Sequence, residues 1–222
     1  MIYFYTGVPG SGKSLHVAKD IYDALRTGKN VIANFNVDTG MVKPRRKKAL
    51  GDFLYIPNAQ WRDNAYLGKS AGQSFSYIDG LVGYAQNYHR KNRKGKVIEG
   101  QTLLVLDECQ ELFNSRSWNR SDRLAWCAFF RQHRKYGYTV ILISQDDKVI
   151  DKQIRSILDT EVFHRKVSDF KLGGFLLALL CGGRLFCAIY RKYGYKKSDA
   201  KLESKFYTGR KYYDFYNSYE TF

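Results

Sequence analysis

Gly7-Val8-Pro9-Gly10-Ser11-Gly12-Lys13-Ser14 meets the pattern GxxxxGK[ST] at every fixed position. An apolar run, Ile2 to Thr6, precedes it, and apolar residues at helical spacing follow it. The glycines let backbone N–H groups close around phosphate oxygens. A helix that begins near Lys13 turns its N-terminal dipole toward the same anion. Gly7, Pro9, Gly10, Ser11, Gly12, Lys13, Ser14 and Leu15 are the expected nucleotide contacts. Lys13 is expected to reach the β- and γ-phosphates, and Ser14 to bind Mg²⁺ through its hydroxyl.

Outward from this loop, Leu15, Ala18, Tyr22 and Leu25 recur on one helical face, with Gly28 placed to end the helix, and Val31 to Ala33 reads as a strand. Leu103 to Leu106 is apolar throughout, as suits a strand buried on both faces of a parallel sheet. It delivers Asp107 and Glu108 at its end. Asp107 is the expected second metal partner, and Glu108 the residue that orients or deprotonates an attacking water. Ser121 is placed to cap a helix running to about Tyr136, closed by Gly137. Thr139 to Ile143 is the next buried strand, with Gln145 at its tip to sense the γ-phosphate or hold the water; Ile150 to Leu158 reads as helix and Glu161 to Val167 as strand. Alternating strands and helices predict an α/β P-loop NTPase, with a RecA-like (ASCE) parallel sheet flanked by helices. The guanine-reading Asn-Lys-x-Asp has no match, so ATP is the expected nucleotide.

Residues 1–170 are expected to form this core, with an insertion at about 36–100, and residues 171–222 a basic, Tyr-rich, β-rich extension packed on it. The insertion holds basic runs at Lys43 to Lys48 and Arg90 to Lys96, and a helical face of Ile78, Leu81, Val82 and Ala85. The chain carries 37 Lys+Arg against 21 Asp+Glu, a formal charge of +16, which points to an anionic partner: nucleic acid or an anionic membrane surface. Cys109, Cys127, Cys181 and Cys187 lack the spacing of a zinc site or a disulfide framework. The apolar core Phe175 to Cys181 within Gly173 to Tyr190 is too short to span a bilayer and reads as core strands or a hairpin.

Leu103 to Cys109, Phe113-Asn114-Ser115-Arg116-Ser117-Trp118-Asn119, Ile150-Asp151-Lys152-Gln153 with Arg155-Ser156, Tyr207-Thr208-Gly209-Arg210, and Tyr216 and Phe222 at the end resemble the zonula occludens toxin-like (Zot) family, which includes the gene I assembly proteins of filamentous phages. The resemblance runs from end to end and is weakest between about residues 36 and 100. It implies an inner-membrane ATPase with a cytoplasmic motor domain, similar to DNA-pumping ring ATPases. In those, an arginine precedes the sensor strand and a glutamine ends it. Arg134 and Gln145 match these positions, and the family's His-Arg-His stands here as His133-Arg134-Lys135. Arg134 is thus the expected arginine supplied to a neighbouring subunit, with Arg116 and Arg155 as rivals.

The resemblance implies a homo-oligomeric ring, a hexamer, that hydrolyses ATP with Mg²⁺ to drive export of single-stranded phage DNA. Phage assembly proteins and coat protein would be its partners, on the cytoplasmic face of the inner membrane. Family members usually continue into a transmembrane helix and periplasmic segment, so this chain is expected to be the cytoplasmic domain. Competing readings are another DNA-translocation or secretion ATPase, a non-motor P-loop kinase, or a secreted toxin. The adjacent acids and Gln145 disfavour the kinase, and a toxin needs an export signal or the family's C-terminal segment.

Overall fold

The computed structural model describes residues 1–45, 48–62, 77–116, 122–170, 185–195 and 201–216. Eight strands form one sheet: β1 (Ile2–Thr6), β2 (Asn30–Ala33), β3 (Phe53–Tyr55), β4 (Thr102–Leu106), β5 (Tyr138–Ile143), β6 (Thr160–Lys166), β7 (Leu185–Lys192) and β8 (Lys201–Thr208). Their order is β3-β2-β4-β5-β1-β6-β7-β8. The pairings from β3 through to β6 are parallel, and those of β7 and β8 are antiparallel. The strand that ends in Gln145 therefore lies between the phosphate-loop strand and the strand that ends in Asp107. Leu106 is in register with Leu142, and Tyr5 with Ile143, so all three loops leave the same edge at the same level.

Side-chain alternation divides the core into two layers. Ile2, Phe4, Ile32, Leu104, Leu106, Val140 and Leu142 face one side, where α3 (Tyr77–Tyr88), α4 (Arg123–Gln132) and α5 (Lys152–Arg155) pack. Trp61, Trp126, Phe129, Phe130 and Tyr138 fill that layer with edge-to-face and tilted rings. Tyr5, Val31, Ala33, Leu103, Val105, Ile141 and Ile143 face α1 (Lys13–Arg26), which buries Val17, Ala18, Ile21, Tyr22 and Leu25 against them. Both faces of β4 are thus covered, which is why it reads as an unbroken apolar run.

Several boundaries differ from expectation for local reasons. The short helix α2 (Asn58–Arg62) and strand β3 fall inside the stretch read as an insertion. β3 belongs to the sheet, but it is a three-residue edge strand with two exposed residues and carries little apolar signal. The helix expected to reach Tyr136 stops at Gln132. His133 Nδ1 bonds the carbonyl of Phe130 at 2.5 Å, and Gly137, at φ 83°, makes the turn into β5. The helix read over Ile150 to Leu158 is four residues long, capped by Asp151, whose carboxylate accepts from Gln153 N at 2.7 Å. Ser121 and the run 171–184 lie outside the described residues.

Candidate active site

The phosphate loop joins β1 to α1 through three glycines in left-handed or related conformations, with φ of 142° at Gly7, 71° at Gly10 and 98° at Gly12. A Cβ at Gly7 would lie 2.6 Å from His164 O, and one at Gly12 would lie 2.6 Å from the Phe186 ring. These two glycines are required because β6 and β7 support the loop from beneath. Lys13 begins α1 and is buried. Its ammonium donates to Gly7 O at 2.6 Å and Val8 O at 3.2 Å. Burial lowers its pKa, and the charges of Asp107 and Glu108 pull it back up. Arriving phosphate oxygens can take over from these carbonyls as partners of the ammonium.

Asp107 leaves the end of β4 almost fully buried. Asn34, fully buried after β2, clamps its backbone. The Asn34 amide donates to Asp107 O at 2.7 Å, and its carbonyl accepts from Asp107 N at 2.7 Å. Asn34 Nδ2 also donates to Asn58 Oδ1 at 2.7 Å, and Asn58 in turn donates to Glu111 Oε2 at 3.0 Å. Burial pushes the Asp107 carboxyl up to about 6; the hydrogen bond from Glu108 N opposes that shift and the Glu108 charge adds to it. Glu108 has φ 45° and is the one non-glycine residue with positive φ among the described residues. A carboxylate side chain in that conformation is strained by about 1–2 kcal/mol. Strain of this kind collects at functional positions. Glu108 accepts a hydrogen bond from the Gln110 side chain.

Gln145 is exposed just beyond β5, between the loop and the acids. The site thus brings together Lys13, Ser14, Asp107, Glu108 and Gln145. Leu15 is buried, and its side chain packs toward Gly209. The three arginines lie elsewhere. Arg134 is exposed near the amino ends of the strands, where its Nε donates to Glu99 at 2.9 Å. Arg116 is exposed beyond the turn at Asn114. Arg155 is half-buried beside α5.

Three contacts at the site were not readable from the sequence. Lys166, at the end of β6, brings its ammonium to 3.5 Å from the position of a Gly10 Cβ, at the lip of the loop. His16 on α1 and His164 on β6 meet at 2.8 Å beneath the loop, and burial lowers both imidazoles to about 3. The Tyr216 hydroxyl donates to Asp107 Oδ2 at 3.5 Å and lies beside Ser14. Only the fold brings these distant residues together.

That last contact tests whether the site suits a divalent ion. The Tyr216 oxygen lies next to Asp107 and beside Ser14, so the two side chains border one space. Two protein oxygens with phosphate and water completing the shell is the arrangement Mg²⁺ favours. No group of three or more His, Cys, Asp or Glu that could hold a metal occurs among the described residues.

The family model for Zonular occludens toxin (Zot) matches residues 1–170. The Gene 1 protein of Enterobacteria phage f1 is 29% identical over 228 aligned residues, covering 100% of this chain and 60% of that protein. The Gene 1 protein of Salmonella phage IKe is 29% identical over 232, covering 99% and 56%. The chain therefore spans less than two thirds of these relatives' length. Among solved structures, the N-terminal domain of zonular occludens toxin from Neisseria meningitidis matches with TM-score 0.55 at 20% identity, over 97% of this chain and 98% of that one. The genome packaging NTPase B204 from Sulfolobus turreted icosahedral virus 2, in complex with ATP-gammaS, matches with TM-score 0.52 at 12% identity, over 93% and 96%. At such identities the likeness establishes the P-loop NTPase fold. With its match covering more than three quarters of the sequence, the chain belongs to the Zonular occludens toxin (Zot) family.

Proposed function

We propose that this chain is the ATP-hydrolysing motor domain of a filamentous-phage assembly protein, acting on single-stranded DNA export at the cytoplasmic face of the inner membrane. The observation that carries the reading is the convergence of Lys13, Ser14, Asp107, Glu108 and Gln145 at the carboxyl edge of adjacent strands. The family membership and the phage relatives support it. Residues 1–170 form the motor core in this reading, and 171–222 an extension of it.

Lys13 transfers its hydrogen bonds to the β- and γ-phosphates, and the loop's N–H groups hold the remaining oxygens. Ser14 and Asp107 would hold Mg²⁺, which neutralises phosphate charge when bound. Glu108 takes the proton of the attacking water, and Gln145 orients that water. Arg134, exposed and paired with the exposed Glu99, exchanges Glu99 for a neighbour's phosphate in a ring. The basic stretch 90–98 contacts the DNA backbone.

The test is phosphate release from Mg-ATP, without added acceptor, over a series of protein concentrations. Specific activity is expected to rise with concentration as subunits complete one another's sites. Lys13→Ala is expected to abolish turnover, and Glu108→Gln to lower it by about 10²–10⁴-fold. Release that requires an added phosphoacceptor would replace the motor reading with a kinase.

A further inference from the structure

The chain beyond β8 returns to the metal side of the phosphate loop. Gly209 passes so close to α1 that a Cβ there would lie 1.7 Å from Leu15 Cδ2. A short turn closed by Tyr212 N to Gly209 O at 2.8 Å follows. The segment then crosses Tyr22, whose ring meets Tyr212 at 5.5 Å and Phe215 at 5.6 Å, both edge-on. Phe215 is buried, and its carbonyl accepts from Asp38 N at 3.0 Å. Tyr216 packs edge-on to Phe35 at 4.9 Å, and its hydroxyl ends between Ser14 and Asp107.

An aromatic anchor holds this segment in place, and the Tyr216 hydroxyl connects it to the site beside Asp107 and Ser14, the two side chains that suit Mg²⁺. The ion and the hydroxyl compete for Asp107 Oδ2, because Oδ1 already accepts from Glu108 N at 2.8 Å. We infer that Tyr216 is a positioning residue of the metal site: its hydroxyl occupies Asp107 Oδ2 beside Ser14, is displaced when a metal–nucleotide complex binds, and so couples occupancy of the site to the seating of residues 209–216. The coupling needs no new hinge, since the segment is seated on α1 and on the loop after β2 by side-chain packing at Tyr22 and Phe35 and by the Asp38 N to Phe215 O bond.

The inference rests on the nucleotide-binding reading of the site, and two readouts separate it from that reading. In hydrogen exchange on the full chain, Mg²⁺ with ATPγS is expected to raise exchange at the Asp38 amide and across 213–216. ATPγS with EDTA is expected to leave both unchanged. In calorimetry, Tyr216→Phe keeps the ring against Phe35 and removes the competing hydroxyl. It is expected to bind Mg-ATPγS about fivefold more tightly than the unaltered chain, with equal affinity for ATPγS in EDTA. Exchange that is unchanged or lowered by Mg-ATPγS, or a Tyr216→Phe variant with unaltered metal dependence, overturns the inference and leaves the nucleotide site standing. Failure of the unaltered chain to bind ATPγS under either condition overturns both.

Discussion

Asn34 shows how much of this site depends on residues that never meet the substrate. Its amide supplies one donor and one acceptor to the backbone of Asp107, both at 2.7 Å and both buried. A carboxylate in its place accepts from Asp107 N but faces Asp107 O with no proton to give. Asn34→Ala leaves two buried backbone groups without partners, at a cost of about 2–3 kcal/mol. In a chain of this size that lowers Tm by about 5–10 °C. Calorimetric unfolding measures it, and a shift under about 1 °C would show that water replaces the amide without loss. ATP turnover is expected to fall further than stability does, because Asp107 and Glu108 lose their fixed register on β4.

At the level of elements, the stretch 90–98 is a rigid hairpin carrying five cations: Arg90, Lys91, Arg93, Lys94 and Lys96. The Asn92 carboxamide accepts from Lys94 N at 2.9 Å and Lys96 N at 3.0 Å, and Gly95 turns the chain at φ 74°. Gln101 closes the base, accepting from Arg90 N at 2.8 Å and donating to Arg90 O at 2.9 Å and Ile98 O at 2.8 Å. The cations are therefore presented on an ordered loop that loses little entropy on binding. Replacing Lys91, Arg93 and Lys94 with Gln is expected to weaken single-stranded DNA binding. It should also make the plot of log affinity against log salt shallower by about 2. Titrations at several salt concentrations measure this, and an unchanged slope would exclude the hairpin as the DNA contact. Within the C-terminal stretch Tyr207 serves packing: it stacks on His16 at 4.7 Å and donates to Gly12 O at 2.9 Å.

For the whole molecule, all four histidines are buried. Burial lowers each imidazole below its ordinary value, to about 3 for His16 and His164. An unfolded chain takes up these protons near pH 6.5. The folded chain takes them up only at lower pH. Their contribution to stability is thus complete above about pH 6.5 and is lost as pH falls toward 3. Asp20 acts in the opposite sense: burial pushes its carboxyl up to about 6, so it takes up its proton in the fold first and offsets part of the loss between about 6 and 4. Tm is expected to fall between pH 7 and pH 5, and Asp20→Asn to steepen that fall. A Tm that is flat or rising over this range would show that the histidines are solvated.

Lys13, Ser14, Asp107, Glu108 and Gln145 were readable in the sequence because each sits at the end of a continuous apolar strand or within a glycine pattern. Burial on both faces and backbone approach to phosphate leave local signatures of that kind. The strand order, the membership of β3 in the sheet, the His16–His164 contact and the placement of Tyr216 beside Asp107 were decided by the tertiary structure alone. Each depends on a pairing across many residues, between segments whose own composition is compatible with other partners. The seating of Tyr216 is the clearest case: its position follows from how Phe215 packs on Tyr22 and how Gly209 passes Leu15, and no local pattern encodes either contact.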